Sequence, residues 1–290
     1  MRPPIATLPP AWRRDRLVLA DLPQFTELTG DDEGVLLAQR ARRGATIAGR
    51  GSPPRLQELL AAYLNTHPGV FVRRLSVTSG TRVPTAQRRA LGLRHVSDWA
   101  WMWTEEAPAP NPNADRVRRA DLTREAEALR ATVDEVNPRS DADPEGPDEI
   151  VWWVVDGADG SPDGVIGAVR EGGYVPGSHS WHLHGVAVRD RARGQGLGTA
   201  LVTVATREAL ADGAAWVSLG LYAENHRARA IYERLGFHEL GLVTSYTHAS
   251  VRARSRVGVR AVYPDRALPE QPRLRSVETA ALRWEVEDST

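Results

Sequence analysis

Gly194, Gly196 and Gly198 alternate in a stretch that runs from an apolar strand pattern, Val186-Ala187-Val188, through a charged turn at 189–193 into a helix start at Leu197-Gly198-Thr199. Lacking a Cβ, each glycine can take a positive φ. The backbone can then curl close to a ligand and turn several N–H groups toward it at a helix N-terminus. Such a concavity suits a pyrophosphate. A Walker loop is excluded, since it needs a Lys after its last glycine and all 37 basic residues here are Arg. A dinucleotide fingerprint fits poorly: the spacing differs, a charged turn intervenes after the strand, and no acidic residue sits about 20 positions later at the end of a plain second strand. Taken alone, a glycine-rich turn of this kind is more often only a tight connection. On the strand before it, His182 and His184 share one face because strand side chains alternate, and imidazoles near pKa ~6.5 suit proton abstraction at neutral pH. Simple hydrogen-bonded or solvent-exposed histidines are an equal reading. A metal site from His179, His182 and His184 is not required by anything else in the sequence, so no metal is expected.

Arg191, Gly194 and Gly196 fit the pattern Gln/Arg-x-x-Gly-x-Gly/Ala after a Val-x-Val strand, and this resembles the acyl-CoA pyrophosphate loop of GNAT-type N-acetyltransferases. One strand further on, Asn225-His226-Arg227-Ala228-Arg229-Ala230-Ile231-Tyr232-Glu233-Arg234-Leu235-Gly236-Phe237 is similar to that family's Asn-x-x-Ala-x-x-x-Tyr-x-x-x-Gly-Phe segment. Two such segments in order make a specific signal. The resemblance implies acetyl-CoA as co-substrate, held by the strand Val186, Ala187 and Val188, by the loop Arg191, Ala192, Arg193, Gly194, Gln195, Gly196, Leu197, Gly198 and Thr199, and by Asn225 and Ala228. Asn225 also reads as a plain helix N-cap, and Tyr232 as an aromatic flanking the apolar face of Ala228, Ile231 and Leu235; the resemblance makes Tyr232 the general acid.

The implied reaction is acyl transfer to a primary amine of a small molecule or peptide by direct attack. An alkyl ammonium near pKa ~10.4 must lose its proton, and a thiolate of parent pKa ~8.5 must be met by an acid. Family members commonly carry a Glu on the strand before the loop, whereas this strand reads Trp181-His182-Leu183-His184-Gly185. His182, His184 and Glu224 are the candidate bases, and a main-chain amide of 186–188 would meet the oxyanion. A catalytically silent CoA-binding module and an O-acyltransferase of the same fold stay open.

With 290 residues, 41% hydrophobic and 26% charged, the chain can bury cores for two domains of ordinary size. Zero Cys excludes disulfides, thiolate zinc and a Cys acyl-enzyme. Balanced charge, 37 acidic against 37 basic, gives no general attraction to nucleic acid or anionic membrane. The first ten residues lack an apolar signal-peptide run and no stretch is a membrane-span candidate, so a cytoplasmic location is expected.

The elements that must position these groups follow from periodicity. From 115 the pattern reads strand 116–119, a helix with Leu122, Ala126, Leu129 and Val133 inward, a hairpin of 150–155 and 165–170, strand 181–188, a helix to Gly213, strand 216–222, the Asn225 helix, and a strand from 237 to about 247. The expected fold is α/β (α+β), a GNAT-like mixed, mostly antiparallel sheet flanked by helices. Before it, 35–40 and 71–77 read as strands, 55–64 and 84–91 as helices, and Arg88–Val96 aligns loosely with Tyr232–Leu240. A degenerate GNAT-like N-terminal repeat over 1–104 and an unrelated α+β cap are both consistent with this. Trp99, Trp101 and Trp103 alternate on one strand face, packing lobe against lobe, with an aromatic substrate wall as the alternative. Residues 105–114 form a Pro-rich linker, 115–249 the acyltransferase unit, and 250–290 a tail with strand patterns at 257–263 and 281–286.

Overall fold

The computed structural model describes residues 7–42, 44–140, 142–173 and 177–251; the strand patterns expected in the tail lie outside them. Eleven strands form one continuous sheet: β1 (Glu27–Asp31), β2 (Gly34–Ala41), β3 (Gly44–Gly51), β4 (Val72–Thr78), β5 (Leu93–Thr104), β6 (Val117–Arg119), β7 (Glu149–Asp156), β8 (Pro162–Gly172), β9 (His179–Val188), β10 (Trp216–Tyr222) and β11 (His238–His248). The helices are α1 (Arg16–Asp21), α2 (Pro53–Thr66), α3 (Thr85–Ala90), α4 (Leu122–Val136), α5 (Leu197–Ala211) and α6 (His226–Arg234). The mixed sheet flanked by helices is the architecture the periodicity implies.

Sheet order is β1-β2-β3-β4-β11-β5-β10-β9-β8-β7-β6, and it is symmetric about the β11/β5 pair apart from β6, which has no counterpart in the first half. In the first half, β2 and β3 are antiparallel neighbours, α2 crosses over to a parallel β4, and α3 leads into β5. In the second half, β8 and β9 are antiparallel, α5 crosses over to a parallel β10, and α6 leads into β11. The two halves thus repeat one order, and the aligned segments Arg88–Val96 and Tyr232–Leu240 both fall on the final helix-to-strand passage. Each half then gives its last strand to the other: β5 lies between β10 and β11, and β11 between β4 and β5.

Helices α5 and α6 cover one face of the second half, where Trp153, Trp181, Leu201, Val217, Leu219 and Phe237 are buried together. The other face carries α4, with Leu129 and Val133 against Trp152, Val154 and Ala187, and the short α1, with Leu17, Leu19 and Ala20 against Trp99, Trp101, Trp216 and Val243. The tryptophan stripe of β5 therefore packs an N-terminal helix onto the shared centre of the sheet. Neither α1 nor the neighbouring β1 is legible from periodicity, because six and five residues are too short to establish one. Strand β3, Gly-Ala-Thr-Ile-Ala-Gly-Arg-Gly, escapes because its glycines argue against a strand while its partners β2 and β4 supply the ladder.

Candidate active site

Strands β9 and β10 pair in parallel only from Trp216↔Ser180 to Leu219↔Leu183. Beyond that point β9 stays on β8, with Ala187 opposite Val165 and Val188 opposite Gly164, while β10 stays on β5, with Gly220 opposite Trp101 and Tyr222 opposite Trp99. The facing edges of 184–188 and 220–222 consequently diverge and keep their inward N–H and C=O groups out of the ladder. Gly185 starts the divergence. It sits in a bulge at φ +64°, where an added Cβ would lie 2.8 Å from Ala142 Cβ and 2.9 Å from Trp152 Cη2. The equivalent pair in the first half, β3 and β4, remains paired from Ala45↔Val72 to Gly49↔Val77 and offers no such opening.

Directly after β9, a 3-10 turn at Asp190–Ala192 closes on itself: the N–H of Ala192 donates to Arg189 O and that of Arg193 to Asp190 O. Those two amides, expected in the anion site, are therefore engaged internally. The N–H groups of Gly194, Gln195, Gly196, Leu197, Gly198 and Thr199 have no partner among the described residues, the last three being the open first turn of α5. Gly194 and Gly196 hold φ +80° and +76°, and Gly196 caps α5 in the left-handed region. Gly198 is an ordinary helical residue, so two glycines rather than three need their freedom. Asn113 Nδ2 donates to Gln195 O (3.1 Å) and Arg116 Nη1 to Gln195 Oε1 (3.3 Å), bracing the loop from the segment that precedes β6. Arg191 turns away from the loop mouth, its guanidinium held by Asp159 and Asp163 of the β7–β8 hairpin.

A cleft of about 160 Å³ occupies the divergence. Val186, Leu219, Tyr222, Asn225 and Tyr232 line it, together with His182, His184, Glu171, Asp21, Trp99 and Trp101. Asn225 caps α6, its side chain accepting from Ala228 N (3.1 Å), which leaves its Nδ2 as a donor. Tyr232 is buried at 8% exposure rather than flanking the apolar face, because α6 presses it against Phe237. Burial pushes its phenol up to about 12.

Both histidines lie at the cleft, each tied to a carboxylate. His184 Nε2 meets Glu149 Oε2 at 3.0 Å, the same oxygen that accepts from Trp152 Nε1 (2.8 Å). His182 Nδ1 is 2.9 Å from Ser218 Oγ and 3.7 Å from Glu171 Oε2, while Ser218 Oγ donates to Glu171 (3.3 Å). When Glu171 is ionised and holds the serine proton, His182 Nδ1 donates to Ser218 Oγ, the tautomer in which Nε2 bears the lone pair. Glu224 lies elsewhere. It is 63% exposed outside the cleft, paired with Arg139 at 2.9 Å, and its carboxyl is held low by a backbone hydrogen bond and then by that arginine.

Two carboxylates in the cleft are absent from the sequence-derived candidates. Glu171, on β8, has a side chain 11% exposed, and loss of water pushes it up to about 7, although the Ser218 hydrogen bond and His184 oppose the rise. Asp21, at the end of α1, is raised to about 8, first by loss of water and then by repulsion from Glu171. The signal that could have found Glu171 is its register, since Val165, Gly167, Val169 and Glu171 alternate along one strand and place a charge on an inward face. Among the described residues no cluster of three metal-ligating side chains occurs, and no helix is long and apolar enough to cross a membrane.

No curated protein matches the chain in sequence. A GCN5-related N-acetyltransferase from Kribbella flavida shares 18% identity over 84% of this chain and 97% of that one, with a TM-score of 0.51. One from Sphaerobacter thermophilus (17% identity, 74% and 76% coverage, TM-score 0.44) and a GNAT-family acetyltransferase from Colwellia psychrerythraea (13%, 74% and 85%, 0.47) are also similar. At such identities the first likeness speaks for fold alone, and its extent takes in both halves of the sheet. The sequence model of the acetyltransferase (GNAT) family matches residues 115–237, which contain the diverging strands, the glycine loop and the Asn225–Tyr232 helix. Residues 115–237 thus match the acetyltransferase (GNAT) family, whose fold supports acyl transfer.

Proposed function

We propose that the protein is an N-acetyltransferase that passes the acetyl group of acetyl-CoA directly to a primary amine of a small molecule or peptide. The observation that carries this reading is two features joined by one strand: amides of 194–199 without partners at a helix N-terminus, and, before them along β9, a cleft between strands that have let go of each other. An anion at the loop would take six N–H groups and the positive end of α5, and an extended arm would find unpaired main-chain groups along 184–188 and 220–222. Coenzyme A has both parts, a diphosphate and an amide-bearing arm, so the residues present fit it. When the coenzyme is acetylated, its thioester would supply the activated acyl carbon.

The chain's own residues account for the proton movements. Glu171, with its carboxyl near 7, takes a proton from the incoming ammonium directly or through His182, which lies 3.7 Å away. A main-chain amide of 186–188, already oriented, donates to the developing oxyanion at no reorganisation cost, a contribution of about 3 kcal/mol. Tyr232 remains protonated throughout the neutral range. A phenol near 12 is a weaker acid than a thiol of ~8.5, so Tyr232 stabilises the departing thiolate by donating a hydrogen bond rather than by completing a transfer. No covalent enzyme intermediate is needed.

The test is thiol release from acetyl-CoA by the full chain across a panel of primary amines. Amine-dependent release supports the reading. Binding of the coenzyme with no release for any amine would favour the silent module, and release only with alcohols would favour O-acylation.

A further inference from the structure

The chain has 37 arginines, yet among the described residues none lines the cleft; its charged lining consists of Asp21, Glu171 and the two histidines. Asp21 belongs to the first half of the chain. On α1, Leu17 and Asp21 stand four residues apart and so share one helical face, and both reach the cleft beside Trp99 and Trp101. The Trp99 ring is fixed there, its Nε1 donating to Ser245 Oγ at 2.9 Å. The nearby Arg50 is paired with Asp15 at 3.6 Å and attracts the Asp21 carboxyl only across a gap, since Asp21 has no hydrogen bond or ion pair among the described residues. Ionising an enclosed carboxyl is costly, and α1 holds this one near a second carboxyl, Glu171, at the edge of an open space. Such an arrangement is relieved by a cation entering that space.

We propose that Asp21 is the acceptor-binding residue contributed by the first half of the chain: with Glu171 it seats the ammonium of a small amine whose apolar body lies against Trp99, Trp101 and Leu17. The proposal rests on the cleft being the acyl-transfer site. Indole faces favour both the apolar body and the adjoining cation. The same lining selects against amines that carry a carboxylate or phosphate next to the nitrogen, because the carboxyl groups of Asp21 and Glu171 face the added charge. The first half, whose own β3–β4 pair does not open, thereby completes the site of the second half instead of forming its own. Glu171 then serves both to hold the ammonium and to take its proton, while Asp21 binds only.

The probes are 2-phenylethylamine, its neutral counterpart 2-phenylethanol and its carboxylated counterpart phenylalanine, titrated calorimetrically into the full chain, wild type, Asp21→Asn and Asp21→Glu. Wild type should bind the amine at least about tenfold tighter than the alcohol, as expected for a hydrogen bond to a charged group, and should bind phenylalanine more weakly than the amine. In Asp21→Asn the amine's advantage disappears, and in thiol-release assays its KM rises about tenfold while kcat stays within about twofold. Asp21→Glu recovers part of the affinity. Equal affinity for amine and alcohol in wild type, or an unchanged KM in Asp21→Asn, overturns the proposal. A separate titration with acetyl-CoA should be identical for all three proteins. Absence of that binding in wild type sinks the acyl-transfer reading, and the amine titrations still decide whether Asp21 seats a cation.

Discussion

Glu171→Gln should make the protein more stable and less active, by amounts that follow from the burial of this carboxylate. The folded protein holds Glu171 near 7 against an ordinary value of 4.5. Between those pH values the folded state keeps a proton that the unfolded chain releases, so stability falls as pH rises through the window and stays low above it. At about 1.4 kcal/mol for each tenfold change, the full loss is about 3 kcal/mol, an order of magnitude shared with its neighbour Asp21. The substituted amide would keep the shape and an acceptor for Ser218 but would not ionise, so the variant escapes this loss. The variant and wild type should melt together near pH 4.5, and the variant should melt roughly 5 °C higher at pH 8, given about 2.1 cal/mol/K per residue. Differential scanning calorimetry at the two pH values measures this, and kcat/KM should fall roughly 10²–10³-fold through loss of the base. The wild-type rate should also climb through a midpoint near 7 that the variant lacks. A melting difference that is the same at both pH values, or a wild type that is the more stable at pH 8, would refute the buried-carboxylate reasoning.

Tyr232→Phe should leave coenzyme affinity unchanged and lower kcat about 10- to 100-fold, the worth of one hydrogen bond to a developing charge; unchanged turnover in a thiol-release assay would remove Tyr232 from its role. Gly185→Ala should destabilise by about 2–4 kcal/mol, since it adds left-handed strain to contacts under 3 Å with Ala142 and Trp152. Gly194→Ala should cost only about 1–2 kcal/mol, because its φ is equally positive but no atom lies within 4 Å of the new Cβ; equal melting shifts for the two variants would contradict the tight packing of the bulge.

Most of the second half is legible because each element carries its own local signal. Apolar runs mark β7 to β10, the glycines mark the loop, and Asn225 marks the start of α6 by capping it. What stays hidden depends on pairing between distant segments. The divergence of β9 from β10 arises because each strand keeps its other neighbour, β8 or β5, and apart from Gly185, whose bulge shows only in the structure, no feature within residues 179–188 or 216–222 records that. The exchange of β5 and β11 is invisible for the same reason. Asp21 is unreadable, since its importance comes entirely from α1 folding back over β5 toward a cleft in the other half. Glu224, by contrast, looks like a base from its place beside Asn225, and the structure gives it to Arg139 instead. The alternating tryptophans of β5 allow either packing or a substrate wall, and Trp99 and Trp101 are placed for both, buried under α1 on one side and lining the cleft on the other.

The central claim is that the amides of 194–199 grip a diphosphate, and calorimetric titration of acetyl-CoA into wild type and Gly196→Asp addresses it most directly. Saturable one-to-one binding by wild type, weakened at least about hundredfold when a carboxylate stands at the mouth of the loop, is the predicted result. No binding by wild type at millimolar coenzyme, or equal affinity in the two proteins, would contradict it.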